Sequence, residues 1–222
     1  MRFAAIETAT EWCSVALWID GEVCGLERRA DNRHGELSLP MLEELLGRAG
    51  IGAQALEAVA FGAGPGAFTG LRIACGIAQG LAFARGLPVL AVSTLHAIAE
   101  ESGAARVIAC LDARMREVYY AALEKRAGQW REAVGAMCVA PEAAPAPPGE
   151  GWLGCGNGFA AYPSFLERSV CAVRPAVHPS AVAVARLAAP RFARGEGVDA
   201  AQAAPLYVRD KVAFTQEELQ RK

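Results

Sequence analysis

The sequence has few of the side chains that most often carry catalytic chemistry. Its 222 residues include three histidines, His34, His96 and His178, and neither an H-E-x-x-H nor a G-x-S-x-G pattern. Those patterns supply the zinc ligands of metallopeptidases and the nucleophile of serine hydrolases. Cys13 and Ser14 lie in an alternating strand pattern and are expected to be core residues. A metallopeptidase or a nucleophilic hydrolase is therefore disfavoured.

Dense runs of basic residues and long apolar runs are also missing. The net charge is −2 and the pI is about 6.0, which argues against direct, tight binding of nucleic acid. No unbroken apolar run is long enough to span a membrane, and no signal peptide is expected at the N-terminus. The seven cysteines are odd in number and form no C-x-x-C pair, so we expect reduced thiols and a cytoplasmic protein.

What is present is a large apolar fraction arranged as alternating strands and helices. Hydrophobic residues make up 53% of the chain, enough for one large or two small domains. Periodicity predicts strands at 2–7, 13–19 and 22–29, with a hairpin turn at Asp20-Gly21. It then predicts helices at 36–49, 69–85 and 95–101, separated by strands at 58–63 and 89–92.

The second half of the sequence weakly repeats the beginning of the first. Strands are predicted at 107–112 and 117–123, so an acid, Glu7 or Asp112, stands at the first turn of each half. We expect two related lobes that face each other across a cleft. Further predictions follow along the chain: a Pro-rich loop at 140–151, a strand and glycine turn at 152–158, a helix at 180–193 ended or kinked by Pro190, an extended segment at 204–209 and a polar helix at 215–222.

Residues 62–72, Gly-Ala-Gly-Pro-Gly-Ala-Phe-Thr-Gly-Leu-Arg, connect a predicted strand to a predicted helix. The spacing matches neither G-x-x-x-x-G-K-[ST] nor G-x-G-x-x-G. Free amides at such a helix start can hold an anion, and glycine also permits a tight turn. A phosphate-binding loop and a simple tight connection both remain open.

Several of these segments together resemble one protein family. They include Ile6-Glu7-Thr8-Ala9-Thr10, the glycine-rich turn just described, Asp112-Ala113-Arg114-Met115 with Glu117-Val118-Tyr119, and Pro205-Leu206-Tyr207-Val208-Arg209. In this order and over nearly the whole chain, they resemble the TsaB (YeaZ) family.

The resemblance implies an α/β protein of the actin/Hsp70/sugar-kinase (ASKHA) fold, with two lobes that each contain a mixed sheet flanked by helices. The first lobe would span 1–102 and the second 103–222, with the tail from about 204 packing back on the first lobe. The implied function is that of a non-catalytic subunit in the synthesis of threonylcarbamoyladenosine beside the tRNA anticodon. The implied partners are TsaD, which carries the metal and the transfer chemistry, and the ATPase TsaE, with tRNA contacted indirectly through the complex.

The residues themselves favour a subunit without its own cofactor. The metal-binding histidines of the TsaD relatives would fall on Thr94 and Ile98, and His96 is out of that register. Candidate nucleotide contacts are Glu7, Thr8, Gly64, Gly66 and Arg114. The bulky tip Arg114-Met115-Arg116 would crowd a phosphate, so no cofactor is expected for the isolated chain, and an adenine nucleotide only at an interface with partners.

The resemblance places the partner surface on the two helices of the first lobe. Rows of small side chains at steps of four let another helix approach closely. The expected surface, which would also form a homodimer in isolation, consists of Leu39, Met41, Leu42, Leu45, Gly70, Arg72, Ile73, Ala74, Ile77, Ala78 and Leu81. Two alternatives stay open: an ATPase or kinase of the same fold that acts alone, and a metallopeptidase.

Overall fold

The computed structural model describes residues 1–209, except for the side chain of Phe165, and contains two five-stranded mixed sheets. The helix predicted at 215–222 lies outside the described residues. The first sheet is formed by β1 Arg2–Glu7, β2 Trp12–Ile19, β3 Glu22–Arg29, β4 Ala58–Gly64 and β5 Val89–Ser93. The second is formed by β6 Arg106–Arg114, β7 Glu117–Arg126, β8 Gln129–Val139, β9 Leu153–Cys155 and β10 Ala172–Arg174.

The two sheets have the same strand order. The first runs β3-β2-β1-β4-β5 and the second, read from its other end, β8-β7-β6-β9-β10. In each, three antiparallel strands are followed by two parallel strands beside the first strand of the lobe. The predicted two-lobed α/β fold is confirmed, and so is the turn at Asp20-Gly21, where both residues have positive φ.

Two long helices cover one face of the first sheet. They are α1, His34–Arg48, and α2, Phe68–Phe83. Both contribute one side to a core that also contains Ile6, Val15 and Phe61. The two helices also contact each other, so their outward sides form one continuous surface.

The other helices are α3 Thr94–Ser102, α4 Gly158–Ala161, α5 Pro163–Leu166 and α6 Ala181–Ala193. The two longer helices, α3 and α6, each pack on the sheet formed by the other half of the chain. Helix α6, from the second half of the chain, packs on β1 and β2, where Phe192 lies 5.0 Å from Phe3 between ring centroids. Helix α3, from the first half, places Leu95 and Ile98 in the core of the second sheet. The lobes therefore share their central helices, and packing does not divide the chain at 102/103.

The structure differs from the sequence-based prediction in the second lobe. Strand β8 was not predicted; it is an edge strand whose residues are exposed or half-buried, so it lacks the apolar alternation that marks a strand. Helix α6 continues through Pro190 to Ala193, the predicted last residue, so Pro190 does not end it. The last turn is held by the packing of Phe192, which is 8% exposed. Within residues 1–209, no helix has the length and apolar character needed to cross a bilayer.

Candidate functional site: the interlobe cleft and the outer face of α1 and α2

A cleft of about 510 Å³ lies between the two lobes. One wall is the turn after β1, at Ala9 to Glu11, together with Gly66 of the glycine-rich turn. The opposite wall is the β6–β7 hairpin with Asp112 and Arg114, and the segment from Leu206 to Arg209 closes one side. The fold thus brings the two acid-bearing turns and the glycine-rich turn to one place, as the internal repeat suggested.

Glu7 does not face this cleft. Its side chain is buried, accepts a hydrogen bond from the Ala9 amide at 2.6 Å, and lies 3.4 Å from the Thr94 hydroxyl. It occupies the space beside Gly62, where a Cβ would stand 1.8 Å from Oε2 of Glu7. Burial raises the pKa of Glu7 to about 7, against the stabilising hydrogen bonds. The carboxyl group is therefore a structural element under the turn and not a ligand for an ion in the cleft.

The raised pKa of Glu7 has a consequence for stability. A carboxyl whose pKa is higher folded than unfolded destabilises the fold progressively as pH rises from the unfolded value, 4.5, to about 7. The shift corresponds to about 3 kcal/mol. We expect Glu7→Gln, which keeps an acceptor for the Ala9 amide, to remove most of this loss. Urea unfolding at pH 5 and pH 8 should show a smaller pH difference than the parent; an unchanged difference would contradict the assignment.

Of the five candidate nucleotide contacts, two line the cleft and three do not. Gly66 and Arg114 lie in its wall. Thr8 is fully buried and donates its hydroxyl hydrogen to the carbonyl oxygen of Gly70. Gly64 is buried with φ of 114°, and a Cβ there would stand 2.8 Å from the carbonyl oxygen of Leu206. Glu7, Thr8 and Gly64 therefore lie beneath the cleft, where backbone packing excludes a ligand.

The glycine-rich turn serves close packing of backbone against backbone. A Cβ at Gly70 would stand 1.9 Å from the carbonyl oxygen of Thr8, and one at Gly66 would stand 2.6 Å from that of Ala9. Two amides of the turn are already occupied: Gly64 donates to the Thr94 hydroxyl and Ala67 to the Ala9 carbonyl. Of the two interpretations left open by the sequence, this geometry favours the tight connection.

The tip of the β6–β7 hairpin is the most strained backbone of the cleft. Arg114, Met115 and Arg116 have φ values of 61°, 54° and 62°, a region that L-residues other than Asn and Asp rarely adopt. The Asp112 carboxylate accepts the Arg114 amide at 2.9 Å and pairs with its guanidinium at 3.4 Å. The Arg114 side chain is 87% exposed and lines the mouth of the cleft, and Met115 at the end of the hairpin is 50% exposed.

The segment from Ala203 to Arg209 crosses from the first lobe to the second. Leu206 donates its amide hydrogen to Ala63 at 2.7 Å, and the Arg72 guanidinium of α2 donates to the Tyr207 hydroxyl at 3.2 Å. Arg209 then donates to the carbonyl oxygen of Ala113 at 3.1 Å and pairs with Glu117. This segment ties the start of α2 to the hairpin tip.

The two positions that the resemblance compares with metal ligands have structural roles: the Thr94 hydroxyl accepts a hydrogen bond from the Gly64 amide, and Ile98 packs in the core of the second sheet. Thr94 and Ile98 are both fully buried. His96 lies 4.0 Å from Glu132, and burial lowers its pKa. Residues 1–209 contain no cluster of three His, Cys, Asp or Glu side chains able to hold a metal ion.

The structure divides the predicted partner surface into buried and accessible residues. Six lie inside the first lobe, which corrects their assignment as contact residues: Met41, Leu42, Leu45, Gly70, Ala74 and Ala78. The reason is that the small-residue row at steps of four on α2 faces β4 and the turn after β1. Five remain accessible in whole or part: Leu39, Arg72, Ile73, Ile77 and Leu81.

The sequence shows a second small-residue row on α2, Gly76 and Gly80, but the predicted partner surface left out four accessible residues of this helix. Gly76 and Gly80 have open space at the Cβ position, Phe83 is 76% exposed, and Phe68 is 42% exposed. The exposed glycine row, Gly76 and Gly80, is the one that another helix could approach. Between Phe68 and Phe83, α2 contains a single charged residue, Arg72.

Two lobes with one strand order, central helices between them and a cleft at their paired turns define a protein of the actin/Hsp70/sugar-kinase type of fold. Residues 28–213 match the sequence model of the TsaD family, tRNA N6-adenosine threonylcarbamoyltransferase. The chain is 40% identical to the tRNA threonylcarbamoyladenosine biosynthesis protein TsaB of Escherichia coli, covering 96% of this chain and 97% of the relative.

Two further similar proteins support the same family. Identity to TsaB of Haemophilus influenzae is 36%, over 96% of each chain. The crystal structure of YeaZ from Pseudomonas aeruginosa superposes with a TM-score of 0.89 at 42% identity, covering 93% of this chain and 99% of that one. The chain belongs to the TsaB (YeaZ) family.

Proposed function

We propose that this chain is a non-catalytic subunit in the synthesis of threonylcarbamoyladenosine in tRNA, acting as a scaffold that binds and activates TsaD together with the ATPase TsaE. Relatives named for this biosynthesis match nearly the whole chain, which supports the pathway. The subunit role rests on the residues described above. The tRNA would be reached through the complex, and the chain would act in the cytoplasm.

The observation that carries the proposal is the outer face of α2. A helix on the surface of a globular protein normally presents charged and polar residues to water. On α2 the exposed Gly76 and Gly80 lie among the half-buried Ile73, Ile77 and Leu81, Phe83 is exposed at the end, and Arg72 is the single charged residue of the helix. Leu39 of the neighbouring α1 is 44% exposed and extends the apolar surface. Such a surface is typical of a helix that packs against a second protein.

The cleft supports a subunit without its own nucleotide chemistry. The glycine-rich turn packs closely against the backbone of the turn after β1. The Glu7 carboxyl group points into the protein, where it accepts a hydrogen bond from the Ala9 amide. At the second hairpin, where an ATP-using relative would need small residues, Arg114 lines the cleft and is followed by two further long side chains, Met115 and Arg116. The residues present do not fit an independent ATP site, so we propose that any adenine nucleotide is shared with a partner.

The buried thiols support the same conclusion. Cys13, Cys75, Cys110 and Cys155 are buried, and burial raises the pKa of each, that of Cys155 to about 11. A thiol with a raised pKa is a poor nucleophile at neutral pH. These cysteines act as small core residues.

The test is a reconstitution with purified TsaD and TsaE, tRNA, ATP and an activated threonylcarbamoyl donor. We expect no ATP turnover above buffer by the pure chain, and turnover together with threonylcarbamoyladenosine in tRNA only when the partners are present. Nucleoside mass spectrometry of the tRNA gives the second readout. Turnover by the chain alone would favour the ATPase alternative, and full modification by TsaD and TsaE without the chain would refute the scaffold role.

A further inference from the structure

The two lobes are also joined behind the cleft, at His178. This residue lies in the connection from β10 of the second sheet to α6 on the first. Its imidazole stacks on the Trp12 indole of β2, with ring centroids 4.6 Å apart and planes at 9°. Nε2 lies 2.9 Å from Oε1 of Glu27 on β3, and Nδ1 lies 3.0 Å from the carbonyl oxygen of Ala176.

Both hydrogen-bond partners of His178 can only accept. A carbonyl oxygen and an ionised carboxylate have no hydrogen to donate, and a neutral imidazole has one N–H. The two contacts are therefore satisfied together only by the imidazolium, which carries a hydrogen on each nitrogen.

The charged residues around His178 also favour the protonated imidazole ring. Beside Glu27, the acidic groups that line the cavities next to His178 are Glu11, after β1, and Glu101, on α3. Arg186 of α6 is the basic group that opposes them there. The hydrogen bond to Glu27 raises the pKa of His178, partly offset by burial.

The position of His178 connects it to the cleft. A smaller cavity of about 200 Å³ beside the ring is lined by Thr10, Glu11, Leu111 and Asn157. The same four residues line the main cleft on its other side. These four residues therefore lie between the cavity beside the ring and the cleft. Three residues after His178, the Ala181 amide donates to the Ser14 hydroxyl of β2 at 2.7 Å.

We propose that His178, Glu27 and Trp12 form a proton-dependent latch that holds the second lobe against the first and thereby sets the opening of the interlobe cleft. With the ring protonated, both hydrogen bonds and the cation–aromatic stacking on Trp12 are made. Loss of the proton breaks one hydrogen bond, removes the ion pair with Glu27, and releases the connection. The stabilising contribution is complete below the unfolded pKa of about 6.5 and is lost as pH rises through the higher folded value.

Two measurements on the full chain test the latch. The first is an NMR titration of the three histidines, assigned with His→Gln variants, in which His178 should titrate above 6.5. The second is amide hydrogen exchange, expressed as protection factors, at pH 6 and pH 8.5. Protection of the Ala181 amide should fall with pH by about tenfold for each unit by which the pKa is raised.

Variants separate the latch from general pH effects. His178→Gln cannot change its charge, so the pH dependence of Ala181 protection should vanish; Glu27→Gln leaves the ring without its counter-charge and should reduce it. His96→Gln, which removes a histidine outside the latch, should retain the parent's pH dependence. An ordinary pKa for His178, or an equal pH dependence in His178→Gln, would overturn the proposal. The titration and the exchange measurement on the parent protein can each overturn the proposal even if a variant fails to fold.

Discussion

Gly76→Arg is expected to weaken the proposed association of this chain with TsaD by roughly 30-fold or more, and to disrupt the homodimer expected for the isolated chain, without unfolding the first lobe. The substitution places a charged side chain at the centre of the exposed apolar side of α2. A disruptive change at the centre of an interface costs about 2 kcal/mol or more, a loss of affinity of roughly 30-fold. The dissociation constant from titration calorimetry and the molar mass from light scattering measure the two outcomes.

The position is chosen so that stability and binding can be separated. A Cβ at Gly76 meets no atom within 4 Å, and arginine has a higher helix propensity than glycine. The thermal midpoint should therefore be equal to that of the parent or higher. Ala78, two residues further on, would be a poor choice because it is fully buried in the core.

A matched control adds the same charge elsewhere. Ala160→Arg introduces an arginine at an exposed position of the short helix α4 in the second lobe. It should leave the affinity for TsaD unchanged. If Gly76→Arg binds TsaD as tightly as the control does, the outer face of α2 is not the partner surface.

The sequence could predict α2 but not which of its sides faces the core. Apolar or small residues occur on every side of this helix, so the periodicity that separates a buried from an exposed face is missing. Two small-residue rows run along it, and the row that begins at Gly70 is buried because it packs on the turn after β1. That turn is 60 residues away in the sequence, and only the tertiary structure shows the contact.

Glu7, beneath the cleft, shows the same limit of prediction from the sequence alone. The repeated pattern predicts that Glu7, at the end of β1, lies near the turn where the two lobes face each other, and this position is correct. The sequence could not predict that the Glu7 side chain points into the protein, because that orientation depends on the missing side chain at Gly62 in the neighbouring strand β4. The equivalent Asp112 remains only partly buried and binds the backbone of its own hairpin. Equivalent positions in the two lobes thus have different roles.

Gly70→Ala is expected to destabilise the protein strongly, whereas Gly76→Ala in the same helix is expected to stabilise it. A single methyl group at Gly70 would stand 1.9 Å from the carbonyl oxygen of Thr8, and the Thr8 hydroxyl in turn donates to the carbonyl of Gly70. Neither backbone can move without separating α2 from β1. Overpacking of this kind costs about 3 kcal/mol.

The paired substitution isolates the steric effect from helix propensity, because both changes replace glycine by alanine in α2. At Gly76 the methyl group meets open space, and the gain in propensity is about 1 kcal/mol. For a chain of this length, the two variants should differ in thermal midpoint by roughly 10 °C. Similar midpoints would mean that Gly70 is not held against the turn after β1.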